Sequence, residues 1–217
     1  LSNFSIKFFP PVIHQNWYRS PQKSLGMKTI RVQVQNEGPT LTDEVIPPLP
    51  LATGCQVAIE VFKTDGSPLY DEAFRGGWTG IDSLVSGWSQ RRSTVYNWFK
   101  SHTEDYVGRN LVIDTGKSTG RVDLIVRESR FVDIACRLAN DDNAFIWTEM
   151  SYVRLEGSST PHPQIPRGTF LIRLSIVGLN VTSSTVFRID NLDKLSVSPP
   201  SSDEFSLISD RKEYQLW

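Results

Sequence analysis

Thr29-Ile30-Arg31-Val32-Gln33-Val34-Gln35 is the stretch on which the reading of this chain turns. In an extended backbone successive side chains point to opposite sides, so Ile30, Val32 and Val34 share one face and Arg31, Gln33 and Gln35 the other. That period of two predicts a strand with one buried face. Gln56-Val57-Ala58-Ile59-Glu60-Val61-Phe62-Lys63 repeats it with Val57, Ile59 and Val61 inward. Thr64-Asp65-Gly66-Ser67 follows at once, and Asp-Gly after a strand predicts a tight turn because glycine accepts positive φ.

The same texture recurs at Phe4–Phe9, Asn110–Asp114, Arg121–Arg127, Phe131–Leu138, Phe145–Leu155, Thr169–Val177 and Thr185–Ile189. Short β-branched segments separated by Gly, Pro, Asn and Asp clusters predict an all-β sandwich or barrel of about eight to nine antiparallel strands. One segment reads differently. Asp82-Ser83 is suited to cap one short helix carrying Leu84, Val85, Trp88, Val95, Tyr96 and Phe99, a face that Arg91 and Arg92 interrupt.

Asn36–Gly54 contains Pro39, Pro47, Pro48 and Pro50, which excludes a central strand there. Gly157–Gly168, with Pro161, Pro163 and Pro166, predicts a second extended, solvent-facing connection. From Ser196 onward the periodicity stops. The expected organisation is therefore one β-sandwich domain over residues 1–195 and an extended C-terminal arm over residues 196–217. Phe205, Leu207, Ile208, Tyr214, Leu216 and Trp217 suit that arm to docking on a neighbour rather than to full solvation.

The bulk composition excludes several classes. With 217 residues the chain is long enough to bury a core without disulfide or metal staples. Hydrophobic residues make up 39% and charged residues 22%, ordinary proportions for a soluble globular protein. The 23 Lys plus Arg balance 24 Asp plus Glu, so no whole-surface electrostatic grip on nucleic acid or anionic membrane is expected. No apolar run approaches the roughly 20 residues that span a bilayer. The opening Leu-Ser-Asn-Phe-Ser-Ile-Lys is neither an initiator Met nor a signal peptide and reads as a processed or excised start.

The motifs that resemble chemistry fall short of it. Thr115-Gly116-Lys117-Ser118-Thr119-Gly120 lacks the glycine of a phosphate loop, Leu111 standing in its place. The alternation of Arg121–Val126 after it predicts a strand, where a phosphate loop needs a helix N-terminus. A hairpin turn is the better reading. His14, His102 and His162 do not share the short spacings of a zinc site. His102 with Glu104 and Asp105 could orient an imidazole, but Ser89 in Gly87-Trp88-Ser89-Gln90-Arg91 lacks the second glycine of a nucleophile elbow. No catalytic, cofactor-binding or metal residue is assigned, and the chain is not read as an enzyme. Cys55 and Cys136 lie in or beside strands and read as two buried thiols. A single disulfide across the sandwich is the alternative. Asn3-Phe4-Ser5 and Asn180-Val181-Thr182 match the glycosylation triplet, which matters only outside the cell. Arg91 and Arg92 with Trp88, Trp98, Phe99 and Lys100 mix basic and aromatic groups as single-strand nucleic-acid surfaces do, though a solvated helix edge explains them as well. Trp17, Tyr18 and Trp78 could stack on sugars, but aromatics scattered through a sandwich usually belong to its core.

Ser24-Leu25-Gly26-Met27-Lys28-Thr29-Ile30-Arg31-Val32-Gln33-Val34 resembles the strand after a basic, Gly-containing turn in the jelly-roll coat proteins of picorna-like plant viruses. The likeness is to the comovirus-type small coat subunit. Cys55–Phe62 resembles the next strand there. Phe170–Leu174, a Ser/Thr-rich loop and Val186–Asp190 resemble the last hairpin. The Pro-rich Asn36–Gly54 departs from that pattern. The resemblance implies a single jelly-roll-like sandwich that acts as a structural capsid subunit, assembling with other capsid subunits into an icosahedral shell in the virion, formed in the host cytoplasm. Genomic RNA on the inner face is a further implied partner, and no cofactor or membrane is. The alternative, from a different class, is a secreted or surface carbohydrate-binding sandwich using Trp17, Trp78 or Trp88.

Overall fold

The computed structural model describes residues 4–19, 24–39, 51–79, 121–138, 142–147, 163–179 and 181–209. In chain order their strands are β1 (Phe4–Phe8), β2 (Val12–Arg19), β3 (Ser24–Pro39), β4 (Leu51–Lys63), β5 (Phe74–Gly76), β6 (Trp78–Thr79) and β7 (Val122–Ile125). They continue with β8 (Ser129–Leu138), β9 (Ala144–Ile146), β10 (Gln164–Ile165), β11 (Gly168–Val177), β12 (Thr182–Asn191) and β13 (Leu195–Ser198). A helix, α1 (Ser202–Ser209), follows. The strands form two antiparallel sheets. The first runs β1-β3-β8-β9-β10, with β2 also on β3 and β6 on β8. The second runs β13-β12-β11-β4-β5, with β7 also on β4. The chain is thus an all-β, two-sheet protein.

The alternation that predicted β3 is the alternation that builds the core. Ile30, Val32 and Val34 of the first sheet and Val57, Ile59 and Val61 of the second are buried together with Ile172, Leu174, Ile176, Phe187 and Ile189. Burying an aliphatic side chain of this size contributes about 1.5–3 kcal/mol, so this layer is what drives the two sheets together.

The reverse faces depart from the sequence-based picture of solvated polar residues. Arg31 is 6% and Asp133 0% exposed, and they stand directly opposite each other in the β3–β8 ladder. Arg31 Nε donates to Asp133 Oδ1 at 2.6 Å and a terminal nitrogen to Oδ2 at 3.0 Å. The second sheet repeats the device in the β4–β11 ladder. There Arg173 faces Glu60 with bonds of 2.6 and 2.8 Å, both residues being buried. A one-residue bulge in the first sheet makes its pairing work. Ile30 opposes Ala135 but Arg31 opposes Asp133, so Ile134 is the extra residue and both Ile134 and Ala135 turn into the core.

Polar side chains also join the sheets at their ends. Asn36 of β3 is fully buried. Its Nδ2 donates to Leu124 O of β7 at 2.7 Å and its Oδ1 accepts from Gly38 N at 2.9 Å. Asn191 of β12, also fully buried, directs its Nδ2 at Ile165 O (2.8 Å) and Pro166 O (3.0 Å), while its Oδ1 accepts from Arg137 at 3.0 Å. Tyr70 Oη donates to Gln164 O at 2.5 Å, tying the connection after β4 to β10.

The expected turn after β4 is present. Gly66 has φ of +79°, and Asp65 Oδ1 accepts from Ser67 N at 2.8 Å. Several expectations need correction. Asn36–Gly54 is not one loop, since β3 continues to Pro39 and β4 begins at Leu51. Among the described residues Pro39 pairs only with Phe4 of β1, beyond the β8 ladder, where a missing N–H disturbs little. Gly157–Gly168 is not wholly solvent-facing, for β10 falls inside it and Ile165 is fully buried. β2 was not anticipated; Val12, Ile13, His14 and Gln15, its first four residues, are all exposed, and a run with neither face buried carries no alternation. The segment from Ser196 does not run out as an arm over its described part. Ser196–Ser198 complete the β12–β13 ladder and α1 packs on the second sheet. The predicted strand at Asn110–Asp114 and the predicted helix after Asp82 lie outside the described residues.

The buried and exposed ion pairs make opposite predictions. Asp133→Ala, which leaves the Arg31 guanidinium buried without its carboxylate, is expected to lower stability by about 3–5 kcal/mol in urea unfolding. Glu37→Ala, which breaks the exposed Lys7–Glu37 pair, is expected to change it by about 0–1 kcal/mol.

Candidate functional site

Of the aromatic residues considered as sugar platforms, Trp78 is removed by its surroundings. Its ring is 2% exposed within the core, and its Nε1 donates to Cys55 O at 2.9 Å. The indole N–H is satisfied by a backbone carbonyl on β4, which is how a core tryptophan manages its one polar atom. Trp17 and Tyr18 occupy β2 opposite Gly26 and Leu25. Trp88, Ser89, Arg91, Arg92, Trp98, Phe99, Lys100, His102, Glu104, Asp105, His162, Thr115–Gly120 and both sequon asparagines, Asn3 and Asn180, lie outside the described residues. His14 is exposed on β2. Val122–Ile125 is a strand, as expected for the sequence after Gly120. Among the described residues no three His, Cys, Asp or Glu side chains gather as metal ligands, and no helix is long and apolar enough to cross a membrane.

The two cysteines are buried and form no disulfide, in agreement with the sequence-based reading. Cys55 belongs to β4 in the second sheet and Cys136 to β8 in the first. Burial, with a smaller push from the Asp123 carboxylate, raises the Cys55 thiol to about 12. Its Sγ faces Ala52 O at 3.4 Å. A thiol held neutral in this way is a small apolar filler and a poor nucleophile, since the thiolate is the reactive form.

What the described surface does offer is apolar groups at its rim. Val12 and Ile13 are exposed on β2, which among the described residues pairs only with β3, and Ile125 on β7, which among them pairs only with β4. Leu179, 87% exposed, lies between β11 and β12, and Leu192 between β12 and β13. Phe205 and Leu207 are half-exposed on α1. These residues occupy edges, turns and the terminal helix, the parts of a two-sheet body that can meet a neighbouring body.

The terminal helix is the best-built part of this rim. Ser201 and Glu204 form a capping box: Ser201 Oγ accepts from Glu204 N at 3.2 Å and Glu204 Oε2 accepts from Ser201 N at 2.8 Å. Ile208, fully buried, enters a cluster with Phe62, Leu171 and Val186 on the reverse face of the second sheet. Arg173 donates to Ile208 O at 3.2 Å, and Arg188 to Glu204 Oε1 at 3.1 Å. The Ser-x-x-Glu spacing after Pro199-Pro200 is a helix-start signal, and the helix it opens stands where an extended C-terminal arm was expected.

The Cys55 environment predicts a pH effect with a definite sign. The folded thiol titrates above its unfolded counterpart, so its contribution is complete below pH about 9 and declines as pH rises toward 12. The expected slope reaches at most about 1.4 kcal/mol per pH unit. Cys55→Ala is expected to remove that share of the alkaline decline. A thiol reagent at neutral pH is expected to titrate the cysteines rapidly only after unfolding. No family model, curated protein or solved structure matches this chain.

Proposed function

We propose that this chain is a structural coat subunit of the jelly-roll type, which assembles with other capsid subunits into an icosahedral shell around an RNA genome. The observation that carries this reading is the distribution of apolar surface. Both sheets bury their inner faces, and their reverse faces hold covered ion pairs, while Val12, Ile13, Ile125, Leu179 and Leu192 stand at edges and turns. A body with filled faces and apolar edges is suited to meeting copies of itself side by side. The formal charge of −1 fits a subunit whose contact with RNA is limited to its inner surface or left to another protein. In this reading the protein performs no catalysis and needs no cofactor, and its place is the virion, assembled in the host cytoplasm.

Light scattering on the full chain over a range of concentrations tests the proposal. Particles in the megadalton range are expected, and Val12→Lys combined with Ile13→Lys is expected to dissolve them while leaving the subunit folded. A 24.5 kDa species at every concentration, with or without RNA, would refute self-assembly.

A further inference from the structure

The contact between α1 and the second sheet has the features of a detachable joint. We propose that α1 is an exchangeable docking segment. The strip of Phe62, Leu171, Val186, Arg173 and Arg188 takes the chain's own helix in the lone subunit and the helix of a second copy in the assembled state. This deepens the assembly reading by naming one of its contacts.

Four observations support exchange over permanent attachment. Only Ile208 of the helix is buried, so one side chain carries most of its apolar anchorage. The capping box satisfies the Ser201 and Glu204 amides from within the helix, so α1 keeps these two N-terminal bonds wherever it docks. The link to β13 is Ser198-Pro199-Pro200-Ser201, whose two prolines lack N–H donors and favour a stiff, extended path that does not prolong the β12–β13 ladder. Phe205 and Leu207 stay half-exposed while α1 is docked on its own sheet, leaving apolar surface for an adjoining subunit.

The receiving strip is shaped for this helix. Leu207 Cβ lies 3.1 Å from where a side chain on Gly66 would begin, closer than an ordinary contact, so a side chain at residue 66 would press the helix outward by a few tenths of an ångström. Arg173, held by Glu60, presents a donor to the carbonyl of Ile208, and Arg188 meets Glu204. A helix arriving from a second copy makes these same contacts. The docked and exchanged states therefore differ mainly in the path of the linker and the entropy of association, the condition under which exchange is a low-cost route to assembly. Reciprocal exchange between two copies closes on itself, one helix for one strip on each side.

Cross-linking between two single-site variants of the full chain tests the inference. Arg188→Cys marks the strip and Glu204→Cys marks the helix. Arg188→Cys removes its pairs with Asp190 and Glu204. Glu204→Cys removes the latter pair and the Ser201 N–Glu204 Oε2 bond of the capping box. Both leave Ile208 and the Glu204 N–Ser201 Oγ bond in place. Cys55 and Cys136 are buried, so a short bismaleimide addresses the new thiols. Mixed at concentrations where the chain associates, the two variants are expected to give a cross-linked pair several-fold in excess of either variant alone. Ile208→Asp added to the helix-marked chain is expected to abolish it. The chain carrying both cysteines is the control: when dilute it is expected to close within itself. A mixture no better than its separate components, or a doubly marked chain that does not close when dilute, overturns the proposal. Cross-linked pairs without larger particles would keep exchange and remove the shell. Particles whose cross-links close only within one chain would keep the shell and remove exchange.

Discussion

Among the described residues each sheet carries one buried guanidinium–carboxylate pair across adjacent strands, and the register of both sheets is tied to it. Arg31 meets Asp133 only if β3 and β8 align with the Ile134 bulge in place. Arg173 meets Glu60 only in the observed β4–β11 alignment. A slip of one residue would turn the core side chains of a strand outward and strand two charges under cover. Such pairs add little to stability when intact, yet they penalise every alternative alignment heavily. Here they act together with the apolar alternation, each excluding the slips the other would tolerate.

Given that register, the ends of the two layers close through backbone carbonyls that only a few side chains can reach. Asn36 connects β3 to β7, and Asn191 connects β12 to the connection between β10 and β11. An asparagine suits both places because one amide offers donors and an acceptor within a small volume. The Tyr70–Gln164 bond adds a third link, with Tyr70 itself held edge-on against Phe74 at 5.0 Å. These links leave the apolar residues of the rim on β2, β7 and the turns, where they serve contact with another body rather than the closure of this one.

The fold class was legible because burial of one face per strand writes a period of two into the sequence, as at Ile30-Val32-Val34 and Val57-Ile59-Val61. The short pieces β5, β6 and β10 were hidden, since two or three residues are too few to show a period. The strand expected at Phe145–Leu155 meets β9 at Phe145 and Ile146, its part from Thr148 lying outside the described residues. β2 was hidden for another reason: its first four residues are exposed on both sides and nothing selects their alternation. The candidate surface was only partly legible. Ile208 and its apolar neighbours marked the C-terminal segment as something that docks, and the chain's own second sheet is where it is seated.

By itself the sequence determined the local choices: alternating strands, the Asp65-Gly66 turn, a capped helix start at Ser201, two cysteines with no reason to be reactive. These depend on neighbours a few residues away, and such neighbours are visible in a linear string. Tertiary structure alone decided that Arg31 and Arg173 are buried rather than solvated, and that Trp78 belongs to the core. It likewise decided that α1 covers Phe62, Leu171 and Val186. Each of those outcomes depends on a partner far along the chain, such as Asp133, Glu60, Cys55 or Ile208, and burial of a charge becomes affordable only once that partner has been brought across the sheet.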